Sequence, residues 1–276
     1  MAAYDYYVKA MDRFTKNSKR LYCTFCGAES LAFGNFGICR VCEAPLSEKK
    51  SDVLGRDHSL VESGEAIWSA INRGDMDNAI AALNSRLASH DEPGFLFAAG
   101  LFYIRYSNEE IKKIRYDREG FMEENAVHRE NSEKMMLYAK TLLNKAVKLA
   151  EKDKGNQGML MHYIPFLAEI KLGHLKAAMY YLKGIKHDDI VYLLDYAHIV
   201  AHAYRKDGEK LLEHCDRMIR EGKVNLNIFY YIGYALFLKK AYGDAKVILS
   251  HLSETGEVDA ASYLLRNINN LYGIRD

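Results

Sequence analysis

At 276 residues the chain is long enough for two average domains or for one helical repeat array. It is 49% hydrophobic and 27% charged, and 38 basic against 37 acidic residues leave a net charge of +1. That balance excludes a chain that is polybasic throughout, and no run of about 18 apolar residues is present to cross a bilayer. The opening MAAYDYYVKAMDRF lacks the apolar stretch of a signal peptide, so a cytoplasmic location is expected. Only three prolines, Pro45, Pro93 and Pro165, interrupt the chain, which permits long helices. Twenty tyrosines serve either as helix-packing filler or as a docking surface.

In chain order, residues 1–20 suit a helix whose later half is basic. Lys9, Arg13, Lys16, Lys19 and Arg20 outnumber Asp5 and Asp12 beside Tyr4, Tyr6, Tyr7 and Phe14. Such an arm either touches phosphate backbones or packs as an amphipathic helix on the rest of the protein.

Residues 21–46 carry Cys23-Thr-Phe-Cys26 and Cys39-Arg-Val-Cys42. Each CxxC presents two thiolates on one tight turn, and two facing turns complete a tetrahedral sulfur site with no open position. One structural zinc ion held by Cys23, Cys26, Cys39 and Cys42 is therefore expected, with a hairpin between the two turns. The missing signal peptide speaks against a disulfide pair. The spacing resembles the zinc-ribbon or rubredoxin-like knuckle family. Arg40 lies inside the second turn and adds to the arm's positive charge.

Residues 47–57 are polar and aperiodic, a linker. From residue 58 onward the spacing is helical. GDMDNAIAALNSRL at 74–87 has an alanine five residues after its glycine and a large apolar residue four beyond. The layout recurs at Ala139 and Leu143, Ala178 and Leu182, Leu211 and Cys215, and Ala245 and Leu249, with steps of 39, 33 and 34 residues. Gly100 and Gly233 precede two of these pairs. This resembles the tetratricopeptide repeat, whose period is 34. The resemblance implies a mainly α fold, an α-solenoid of about five helix pairs at 58–90, 94–152, 156–187, 189–222 and 225–253, with a capping helix at 257–272. A charged insertion at about 107–135 departs from the family: either both helices of the second pair extend, or a charged lobe projects.

The family's groove positions fall on Trp68, Leu101, Tyr163, Leu167, Tyr230 and Tyr234. They imply a concave surface for an apolar or aromatic element, the N-terminal helix among the candidates; buried helix packing explains the same residues. His198 and His202 sit four apart on a helix without the glutamate of HExxH, and read as a packed pair. No phosphate loop, nucleophile elbow or dinucleotide fingerprint is present, and no small-molecule substrate is evident. The reading is a non-enzymatic zinc-binding adaptor that docks on a protein partner or a large assembly. A ribonucleoprotein such as the ribosome is favoured, or a transcription complex, with RNA contacted by the N-terminal arm. A pure protein–protein scaffold, whose ribbon is structural or mediates self-association, is the alternative, and an enzyme with an unrecognised site the third.

Overall fold

The computed structural model describes residues 3–23, 28–33, 36–47, 67, 70, 75–89, 91–114, 122–152, 160–185, 193–255 and 258–271. Cys26, Trp68 and residues 115–121 of the charged insertion lie outside them, as does nearly all of the 47–57 linker. The described chain is mainly α. Helix α1 (Ala3–Asn17) precedes strands β1 (Lys19–Tyr22), β2 (Glu29–Ala32), β3 (Phe36–Ile38) and β4 (Pro45–Ser47). Then come α2 (Met76–Leu87), α3 (Pro93–Lys113), α4 (Met122–Lys152), α5 (Leu160–Leu172) and α6 (Leu175–Leu182). The rest is α7 (Leu193–Tyr204), α8 (Gly208–Arg220), α9 (Leu226–Leu238), α10 (Tyr242–Glu254) and α11 (Asp259–Leu271).

Two compact units result. Residues 57–185 form one; residues 1–24, 28–56 and 186–276 form the other. In the first, α2 packs on α3, α3 on α4, α4 on α5 and α5 on α6, and α3 also touches α5. In the second, α7, α8, α9, α10 and α11 pack successively, with α9 touching both α7 and α11. Helix α9, LNIFYYIGYALFL, is apolar almost all round because neighbours cover it on several sides.

The alanine and large-apolar positions of the repeating pattern are where helices cross. Ala79, Leu83, Ala139, Leu143, Ala178, Leu182, Leu211, Cys215, Ala245 and Leu249 are all buried. A Cβ on Gly100 would lie 2.8 Å from the Leu143 side chain, and one on Gly233 2.6 Å from that of Leu249, so these glycines admit the close approach of paired helices.

The turn between the two helices of a pair repeats as well. Asp75, His174, Asp207 and Ala241 each donate a backbone N–H five residues back, to Ala70, Glu169, His202 and Leu236, at 2.9–3.1 Å. The preceding residue is left-handed at Gly173, Lys206 and Lys240, with φ of 83°, 57° and 62°. Asp75 and Asp207 then cap α2 and α8 through their carboxylates.

Two expectations are amended, and one open alternative is decided. Helix α1 stops at Asn17, so Lys19 and Arg20 lie on β1. Asn17 and Ser18 donate side-chain hydrogen bonds to the carbonyls of Arg13 and Phe14 at 2.7 Å, which ends the helix. The strands pair β1 with β2 and β3 with β4, both antiparallel, so Cys23 lies at the end of the first hairpin's leading strand and Cys39 and Cys42 at the tip of the second. In the insertion both helices extend: α3 has 21 residues and α4 has 31, against 8 to 13 in the pairs that follow.

Candidate metal centre

Three cysteines converge where the two hairpins meet. The sulfurs of Cys23, Cys39 and Cys42 all lie within 4.8 Å of one another, and all three residues have zero exposure. Cys23 and Cys42 are 3.5 Å apart at sulfur, well beyond a disulfide bond. Zinc–sulfur bonds of about 2.3 Å in a tetrahedron would separate the sulfurs by about 3.8 Å, so the spacing fits a metal ion. The Val41 N–H points to Cys39 Sγ at 3.4 Å, and Ser30 Oγ lies 3.8 Å from the same sulfur. Such donors favour the thiolate form that binds metal.

The two turns close in the same way. Cys23 N–H bonds the carbonyl of Ala28 at 2.9 Å, and Cys39 N–H that of Ala44 at 2.8 Å, each five residues ahead. Both alanines are buried. Glu43, the residue after the second turn's last cysteine, is left-handed at φ 62°. The sequence has Gly27 at the corresponding place.

Sequence reasoning missed what holds the ribbon down. Asn227, buried on α9, donates to the carbonyl of Cys39 and to Tyr196 Oη on α7, both at 3.2 Å. Tyr231 Oη donates to Glu43 at 3.5 Å. Helix α1 packs on α9 and α10. Its Tyr7 donates to Asp216 of α8 at 2.5 Å, and its Asp12 meets His251 of α10 at 2.7 Å. Burial and the Asp216 carboxylate push the Tyr7 hydroxyl far above its ordinary value. No local pattern announces these contacts.

Of the basic residues, Lys9, Arg13 and Lys16 are exposed on α1. Arg20 is also exposed but pairs with Glu29 at 3.1 Å, and the half-buried Arg40 donates to the Glu29 carbonyl at 2.9 Å, so these two brace the ribbon. Lys19 is half-buried. Of the groove positions, Tyr163 and Leu167 are enclosed in the core, and Leu101 is half-buried. Tyr230 and Tyr234 are half-buried and stack on α9 at 6.4 Å with planes 3° apart. Burial raises both phenols, that of Tyr230 to about 12.

His198 and His202 gain a third ring, His214 of α8, with centroids 4.9–6.4 Å apart and near-parallel planes. Arg217 donates to His214 Nδ1 at 2.8 Å. Burial lowers all three imidazoles, His214 to about 4. The lone Cys215 is fully buried and its thiol is pushed well up by burial, so it packs as a small apolar side chain. Among known protein families, curated proteins and solved structures, none matches this chain.

Proposed function

We propose that Cys26 completes a four-cysteine site with Cys23, Cys39 and Cys42, and that the site holds one structural zinc ion. The identical closure of the two turns, from Cys23 to Ala28 and from Cys39 to Ala44, is the support. Zinc would cross-link the two hairpins; with four thiolates it would have no open position for catalysis. The recurring left-handed turn and the buried small residues support a tetratricopeptide-like solenoid for the helices.

On this reading the protein is a non-enzymatic adaptor in the cytoplasm. It docks on a large assembly, a ribonucleoprotein such as the ribosome being favoured over a transcription complex. The observation carrying it is that Lys9, Arg13 and Lys16 stand exposed on a helix whose other face is anchored by Tyr7. Cations held on a fixed element meet phosphates with little ordering cost. Co-sedimentation with the ribonucleoprotein fraction, with and without nuclease, is the test. Binding should fall steeply between about 50 and 200 mM salt, and R13E/K16E should weaken it and flatten the salt slope. Unchanged association of that variant at both salts would overturn the reading. The alternative, a protein–protein scaffold, draws support from the half-buried row Tyr230, Tyr234 and Phe237 stacked along α9.

A further inference from the structure

A cleft of about 520 Å³ opens between α1, the end of β2 and the turn after α8. That volume falls within the range of about 300–1,000 Å³ in which proteins bind small ligands. Phe14 and Ile219, both buried, form its floor, with Ala10 and Val224 beside them. Two rings stand up from it: Tyr6 is 45% exposed and Phe33 is 41% exposed. Phe33 is steadied by Phe14, 6.3 Å away between ring centroids. Lys9 and Arg13 of α1 and Arg220 of α8 line it together with a single acid, Glu221. Lys9 and Arg13 are one turn apart, about 6 Å along the helix axis.

We infer that this cleft takes an unpaired base of single-stranded RNA, stacked against Phe33 and Tyr6, with its flanking phosphates on Arg13, Lys9 and Arg220. Exposed rings on an apolar floor suit the face of a base, which a duplex hides in its stack. Three lining cations against one lining acid, with Asp216 3.9 Å from Arg220, leave a net positive charge that suits the backbone joining such bases. An acidic peptide would satisfy the cations but carries no obligatory flat ring for Tyr6 and Phe33 to stack on. The inference rests on the ribonucleoprotein reading above and narrows it. The arm then grips a strand through stacking as well as charge, and one of the three cations, Arg220, comes from about 200 positions downstream.

The test uses the full chain and a fluorescein-labelled 12-nucleotide oligouridine, followed by anisotropy at about 100 mM salt. Single strands should bind at least tenfold more tightly than a duplex of the same length. Phe33→Ala and Arg220→Glu should each weaken binding on the order of tenfold, with zinc content and helix signal unchanged. Equal binding of duplex and single strand, or indifference to Phe33→Ala, would overturn the inference. So would a glutamate-rich peptide that binds in an Arg220-dependent way while oligouridine does not. If oligouridine fails but the chain still co-sediments with ribonucleoprotein in a salt- and Arg13-dependent manner, the cleft inference falls and the adaptor reading stands. Failure of both experiments removes both.

Discussion

Lys206 and Lys240 occupy a backbone conformation that favours glycine, at the turn where Gly173 serves in the preceding pair. For a residue with a Cβ the left-handed region costs about 1–2 kcal/mol. Lys206→Gly and Lys240→Gly should therefore each stabilise the protein, by about 0.5–1 kcal/mol after the extra unfolded-state entropy of glycine is subtracted. Urea unfolding of the two variants checks this, and a loss of stability in both would refute the strain argument. The stacked histidines give a second residue-scale expectation. His198, His202 and His214 face Asp195, Arg205, Asp207, Lys210, Glu213 and Arg217, and burial holds their folded pKa below the ordinary 6.5. Unfolding then takes up protons at acid pH. Their stabilising effect is complete above about 6.5 and is lost as pH falls towards about 4, the value of His214. Replacing His214 with Phe should flatten the fall in melting temperature over that window, measured against the wild type so that any loss of metal is common to both.

At the scale of elements, the extended pair α3 and α4 is held by polar as well as apolar contacts. Ser107 and Ser132 hydrogen-bond at 2.8 Å in the interior. Glu110, whose side chain is 2% exposed, accepts from Lys113 at 2.5 Å and contacts His128 at 2.8 Å. Its partners outweigh burial and hold its carboxyl below the ordinary value. Glu110→Ala should cost about 1–3 kcal/mol, since it removes charge-assisted hydrogen bonds to the exposed Lys113 and the half-buried His128 and empties a buried site. Thermal melting would show it, and a change under about 0.5 kcal/mol would mean the network is dispensable. Between ribbon and helices, Asn227 plays the corresponding part. Asn227→Ala removes two buried hydrogen bonds and should cost about 1–3 kcal/mol. A drop in zinc affinity should accompany it if the contact to the Cys39 carbonyl fixes the second turn.

At the scale of the molecule, the 11-helix framework among the described residues carries its own apolar interior, and the four strands are short. If the proposed zinc is bound, chelating it, or Cys39→Ser, should therefore abolish the ribbon's order while most of the far-ultraviolet helix signal persists. A collapse of the helix signal would mean that the ribbon nucleates the unit containing residues 186–276. The near-zero net charge of the chain bears on the role proposed above for α1. The cations gathered there are a local excess on a chain with a net charge of only +1, so if the proposed ribonucleoprotein binding occurs, its salt sensitivity should map to α1.

Short-range chemistry wrote much of this structure into the sequence. The CxxC spacing brings the sulfurs of Cys39 and Cys42 together through a turn of a few residues, and the alanine and large-apolar steps mark helix crossings because small side chains are needed wherever backbones approach. The repeated turn was half hidden, since Lys206 and Lys240 stand where glycine would have announced it, and only φ reveals the equivalence. Cys26 and Trp68 rest on the sequence alone, lying outside the described residues. Tertiary structure alone decided where α1 and the ribbon are anchored: Tyr7 meets Asp216 across 209 residues and Asn227 meets Cys39 across 188. It also enclosed Tyr163 and Leu167, added His214 to the histidine pair, and built one cleft from Arg13, Phe33 and Arg220. Periodicity fixes which face of a helix is apolar, because that depends on neighbours three and four residues away. Which distant segment covers that face depends on the packing of the whole chain.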